Sequence, residues 1–277
     1  MESNIVGQLL SISKIPQEKV TNSFFIDKDE KLLSNNDVIK NIYSYLSKKY
    51  RNEYFFQNTL FNKLVLGIHS LNTTTALSQV HVGKSIADCI VINGKAVVYE
   101  IKTDLDNFER LCGQIREYYK AFKYVCVLTS EKQYEKAFEM LKGTPVGIYV
   151  ISRSNTISKK YKKEPEEYTN QLDYTTIFKV LRKKEYENII KSYFGKLPET
   201  PSALYFRECL VMFLQIEKNQ LYKLFLEQLK MRYTIDEKKI NLINQTPYEI
   251  KSMIYYSRMT EKEIKRLIAC LDKLYRG

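Results

Sequence analysis

The chain has 277 residues, of which 44% are hydrophobic and 27% charged, and a formal net charge of +12. That length allows one large domain or two small ones, and that composition excludes a disordered or fibrous chain. Its apolar runs fall far short of a bilayer span, and Glu2 at the start, with no basic stretch ahead of an apolar run, argues against a secretory leader.

Residues 1–35 lack periodicity and read as an irregular N-terminal arm. Asn35 or Asn36 can cap a helix to about Tyr50, with Val38, Ile42, Tyr45 and Leu46 on one face. Asn52 can cap a second helix carrying Glu53, Phe56, Leu60, Phe61, Leu64 and Val65, ended by Gly67. A Ser/Thr/Asn-rich loop over 69–77 precedes strands at about 78–82, 86–92 and 96–102. Thr103, Asp104 and Asp106 then open a helix to about Phe122, whose apolar stripe is Phe108, Leu111, Ile115, Tyr119 and Phe122. Its opposite face carries Arg110, Gln114 and Tyr118. A strand over 124–128, a helix over 131–142 and a strand over 146–151 complete an α/β layered unit. Residues 152–172, with Lys159-Lys160-Tyr161-Lys162-Lys163, read as a basic linker or loop, and 173–277 as a helical domain. Thr246–Glu249 and Thr260–Glu263 have the spacing of capping boxes.

The five cysteines, Cys89, Cys112, Cys126, Cys209 and Cys270, form no close pairs, which fits reduced thiols in a cytoplasmic protein. Two histidines, His69 and His81, do not build a zinc site with thiols so sparse. The charge is uneven: residues 151–277 carry 25 Lys and Arg against 16 Asp and Glu, whereas 1–150 carry 19 against 16. Such a surface attracts phosphate polymers, and it also serves plain solubility.

The chemistry concentrates at Ala87 to Lys102. Two β-branched runs flank Asn93-Gly94, a hairpin signal, and Asp88, Glu100 and Lys102 interrupt them. Ionised groups in otherwise apolar strands are costly unless paired or bound to a metal. Glu100 and Lys102 share a face. A two-residue turn sets Asp88 opposite Tyr99, on the wrong face. A three-residue loop, Ile92-Asn93-Gly94, closing on Val91 and Lys95 sets it opposite Val98, on the right one. A metal site therefore requires the bulged loop or a bulge elsewhere. Glu-x-Lys occurs four times in the chain, and only the match at Glu100 lies on an interior strand beside an Asp. The bland alternatives are an ion network on a half-exposed sheet for these three, a first-turn helix carboxylate for Glu53, and a solvated helix face for Gln114 and Tyr118.

Glu53, Asp88, Glu100-x-Lys102 and Gln114-x-x-x-Tyr118, in this order and on these elements, resemble the PD-(D/E)XK (restriction-endonuclease-like) nuclease superfamily over residues 36–151. Ala87 stands where the signature has Pro. The segments Arg51–Tyr54, His69–Asn72 and Tyr99–Lys102 are also similar to a bacterial family called sce-type. The resemblance implies a restriction-endonuclease-like core, a mixed central sheet flanked by helices, with an all-helical region after it. It implies a metal-dependent nuclease in which Asp88, Glu100 and the Ile101 carbonyl hold Mg²⁺ (or Mn²⁺) and Lys102 orients or deprotonates water. Glu53 reaches the site, and Gln114 and Tyr118 position it or the strand. Nucleic acid, DNA before RNA, is the implied partner, in a bacterial or phage defence, restriction or repair role. A protein partner on the helical region and a homodimer are open, as are a catalytically silent nuclease-like module and an immunity-type interaction protein.

Overall fold

The computed structural model describes residues 5–27, 31–158, 160 and 162–276. Five strands form its centre: β1 (Thr75–Val82), β2 (Ser85–Asn93), β3 (Lys95–Lys102), β4 (Tyr124–Ser130) and β5 (Gly147–Ile151). They lie side by side in chain order. β1, β2 and β3 pair antiparallel, and β3, β4 and β5 pair parallel. The parallel part is apolar on both faces, as a sheet covered on both sides must be. Helices cover each face, so the fold is α/β with a mixed sheet between helical layers.

One face packs against α1 (Ile5–Ser13), α2 (Asn35–Lys49) and α3 (Glu53–Leu60), and α3 continues into a π-helical turn over Phe61–Leu66. The other packs against α4 (Leu111–Tyr119), α5 (Tyr134–Leu141), α6 (Tyr174–Val180), α7 (Lys183–Phe194), α8 (Ser202–Leu214) and α9 (Lys218–Met231). The last three helices, α10 (Glu237–Gln245), α11 (Lys251–Tyr256) and α12 (Glu261–Cys270), cross back to the first face and share its core.

Several expectations are corrected. The N-terminal arm is not irregular throughout: Ile5, Val6 and Leu9 of α1 are buried against the first face. Ser34, rather than Asn35 or Asn36, caps α2, accepting from the Asp37 N–H. The helix expected from Thr103 begins at Leu111, because Asp106 accepts from both the N–H and the hydroxyl of Thr103 and closes a turn instead. Thr260–Glu263 forms its capping box, but Thr246 ends α10 rather than starting a helix. The helices after 172 have no core of their own; they divide between the two faces.

Residues 152–172 are not a free linker. Ile157 and Lys163 bridge to Ile151 and Ile148 along the outer edge of β5, which covers an otherwise open strand. Lys163 donates to the carbonyls of Leu141, Thr144 and Val146, and Lys162 pairs with Glu164. Lys159 and Tyr161 of the basic run lie outside the described residues. Among the described residues, no helix is long and apolar enough to cross a membrane.

Candidate active site

The hairpin closes differently from either sequence-based register. Asn93 pairs with Lys95 across Gly94, whose φ of 70° a residue without a side chain adopts freely. Ile92 pairs with Ala96 and Cys89 with Tyr99, so one further step sets Asp88 opposite Glu100 rather than Val98. This register differs from the bulged-loop one by two residues, so the parity is the same, and Asp88 shares the face of Glu100 and Lys102.

A second irregularity sits beside it. Ser78 pairs with Cys89 and Val80 with Ala87, and Gln79 between them takes φ 53°. The face alternation of both strands breaks there: Cys89 belongs to the first core, and Val80 and Ala87 to the second. The Ile101 N–H, past the last paired residues of β2 and β3, donates instead to Asp88 Oδ2 at 2.8 Å.

Glu100 is buried at 1% exposure and Lys102 at 9%, so their charges need partners. Lys102 Nζ donates to Glu100 Oε1 at 2.8 Å and to Gln114 Oε1 at 3.0 Å. The Tyr118 hydroxyl lies 2.5 Å from Glu100 Oε2 and 2.8 Å from the Ile86 carbonyl oxygen. It carries one proton for these two acceptors. Gln114 and Tyr118, one helical turn apart on α4, therefore hold the β3 pair from above the sheet. Tyr118 is fully buried among the apolar stripe and does not lie on a solvated helix face.

Burial and the facing Glu100 carboxylate push Asp88 up to about 8, with Glu53 adding to the effect and the Ile101 N–H and Lys102 opposing it. Burial, then Glu100, likewise pushes the Tyr118 phenol upward, which keeps it a hydrogen-bond donor. Glu53, in the first turn of α3, is exposed and accepts from Gln79 Nε2 at 3.3 Å. It flanks the site through Gln79. Its neighbours fix it there: Asn52 caps α3, Arg51 donates to the Ile151 and Ser152 carbonyls at the end of β5, and Tyr54 donates to the Glu249 carbonyl at 2.6 Å. At the other end of the hairpin, Asn93 Nδ2 lies 2.8 Å from His69 Nδ1.

Two facing carboxylates are donors that suit a hard divalent cation, for which one or two carboxylates suffice. Among the described residues, no group of three or more His, Cys, Asp or Glu side chains is gathered to hold a metal ion. Sequence reasoning missed Gln79, which carries no motif, and Glu117, whose Oε2 accepts from the Lys84 N–H at 3.0 Å and pins the β1–β2 turn beside α4.

A model of the bacteriophage P4 protein cII family matches residues 47–265. The chain belongs to this family. The match runs from the end of α2 into α12, so it takes in the site residues and the helices on both faces. No curated protein and no solved structure matches the chain.

Proposed function

We propose that the chain is a metal-dependent phosphodiesterase of the PD-(D/E)XK, restriction-endonuclease-like kind, acting on nucleic acid and on DNA before RNA. One observation carries this: Asp88, Glu100, Lys102, Gln114 and Tyr118, drawn from two strands and a helix, meet at one point, with Glu53 beside them. A structural ion pair needs only Glu100 and Lys102. It does not need a second, half-buried carboxyl across the hairpin from the first.

In hydrolysis, water adds to phosphorus, the ester P–O bond breaks, and the departing oxygen takes up a proton. Asp88, Glu100 and the Ile101 carbonyl are the groups that would hold Mg²⁺ or Mn²⁺, which when bound neutralises phosphate charge and acidifies water. Lys102 Nζ orients the attacking water and offsets charge gathering on the phosphate. Gln114 fixes Lys102, and Tyr118 fixes Glu100, so each reacting group enters the reaction already placed. The family's phage name supports a phage-encoded setting, with restriction, defence or repair as the roles such an activity serves.

The test is cutting of linear and circular DNA, and of RNA, in Mg²⁺ or Mn²⁺. Asp88→Ala and Lys102→Ala are expected to lower the rate by about 100-fold or more. Equal cutting by the wild type and both variants would remove the assignment.

The second reading is a silent binding module, favoured by one feature: both Glu100 oxygens already have protein partners. Mn²⁺ titration separates the two, since a silent module shows no Asp88-dependent Mn²⁺ binding.

A further inference from the structure

A cleft of about 310 Å³ opens along the outer edge of β1, on the side away from β2. Its floor is Ala76 to His81. Its walls come from both helical layers: Lys179, Val180 and Arg182 from the α6–α7 region, Arg232 and Tyr233 after α9, and Tyr255, Tyr256 and Arg258 from α11 and beyond. No acidic side chain is among its described lining residues.

The cations differ in what they are free to do. Arg232 is occupied: its side chain is 6% exposed, paired with Glu185 at 2.7 Å, and it also donates to the Val180 carbonyl at 2.7 Å. It is a strut between α6, α7 and α9. Lys179, Arg182 and Arg258 are exposed, as is His81 on the floor. The Arg258 guanidinium lies over the Tyr233 ring, 5.5 Å from its centroid, which limits its freedom before any ligand arrives. Unpaired positive charge in a concave, partly apolar site focuses potential on whatever anion enters.

The cleft also joins the candidate active site. Gln79 is part of its floor, stands across β1–β2 from Asp88 in the register, and donates to Glu53. Its positive φ is backbone strain at the junction of the two features.

We propose that this cleft is the track for a single nucleic-acid strand leading to or from the Asp88–Glu100–Lys102 site, with Lys179, Arg182 and Arg258 contacting its phosphates. The proposal rests on the nucleic-acid reading above. Six strand residues span roughly 17–20 Å, long enough for several phosphates rather than one small anion. The volume is too small for a paired helix. Exposed cations spaced along one groove hold a strand through its phosphates without base readout.

Binding is measured in EDTA, where hydrolysis plays no part, by anisotropy of a labelled oligothymidine of about 20 nucleotides. The triple variant Lys179→Glu/Arg182→Glu/Arg258→Glu is expected to bind at least about tenfold more weakly. The slope of log K against log salt should fall by about 2, the value for three lost phosphate contacts on a single strand. Lys48→Glu, on exposed α2 surface outside the cleft, should stay within about twofold of wild type. The matching duplex should bind wild type more weakly than the single strand. Substitution to alanine at the same three exposed positions is a milder second variant with the same expected direction. Wild type failing to bind the single strand, reversal variants binding like wild type, or the duplex binding as tightly would each overturn the proposal. Cleft-dependent binding together with Asp88-independent cutting would leave the track and remove the hydrolase. Asp88-dependent cutting with binding indifferent to the cleft would do the opposite.

Discussion

Half-buried opposite Glu100, the Asp88 carboxyl is pushed up to about 8, far above its model-peptide range, by desolvation and then by the Glu100 charge. The folded state therefore binds a proton that the unfolded chain releases near pH 4. Between those two values the unfolded state holds fewer protons, so stability falls as pH rises through this window. In EDTA, the wild type is expected to lose melting temperature between pH 5 and pH 8. Asp88→Asn, which cannot ionise, should lose less across that range, by about 3–4 kcal/mol from linkage at about 1.36 kcal/mol per pH unit. Thermal melts of both proteins across that range check this, and parallel curves would exclude an ionisation-resistant Asp88. Around it, Tyr118→Phe removes only the oxygen that meets Glu100, and Gln114→Leu the one that meets Lys102. Each is expected to slow cutting about 10–100-fold, the range for groups that orient direct participants, with substrate affinity little changed. Single-turnover kinetics measure that split.

At the scale of elements, the hairpin and its neighbour set the geometry. Asn93-Gly94 signals a turn, and alternation shows which residues share a face, so the convergence of Asp88, Glu100 and Lys102 is legible in part. The closure around Gly94 is not, because loop length depends on how β2 and β3 twist under two helical layers. Gln79 is hidden for the same reason: no local pattern asks for a left-handed glutamine within a strand. Gln79→Gly should relieve that backbone cost and stabilise the fold by about 1 kcal/mol while loosening Glu53. Chemical denaturation reads the gain, and a loss of stability would show that the side chain matters more than the strain. Gly83 is the opposite case. It has φ 57°, and a Cβ there would collide with Glu117 Oε2. Gly83→Ala is expected to cost about 1–3 kcal/mol, because it strains the turn and displaces the carboxylate that holds it.

At the scale of the whole molecule, the sheet is closed by both ends of the chain. Ile5, Val6 and Leu9 from the start, and Ile240, Ile243, Ile254, Ile264 and Leu267 from the end, are buried in one core with α2 and α3. Asn35 Nδ2 donates to the carbonyls of Cys270 and Lys273, and Tyr54 reaches Glu249, which ties the ends together. A fragment covering 36–151 strips α1 and α10–α12 from one face of the sheet and α6–α9 from the other, exposing much of both cores. It is expected to aggregate or to melt without a cooperative transition, whereas the full chain melts as one unit. Calorimetry of both distinguishes this from an independently folding core.

The amino-acid sequence by itself determined what depends on neighbours along the chain: five strands, the helices α2, α3 and α5, the helical character of the region after 172, the Asn52 cap, and a charged trio on strands otherwise apolar. Periodicity and turn chemistry act over a few residues that are adjacent along the chain. What only the tertiary structure decided are the relations between segments distant in the chain. It brought Gln114 and Tyr118 down onto the β3 pair, returned α10–α12 to the face opposite α6–α9, and set Arg258 and Lys179 on two walls of one cleft. Those contacts arise from burying both faces of a single sheet, a requirement of the whole chain at once.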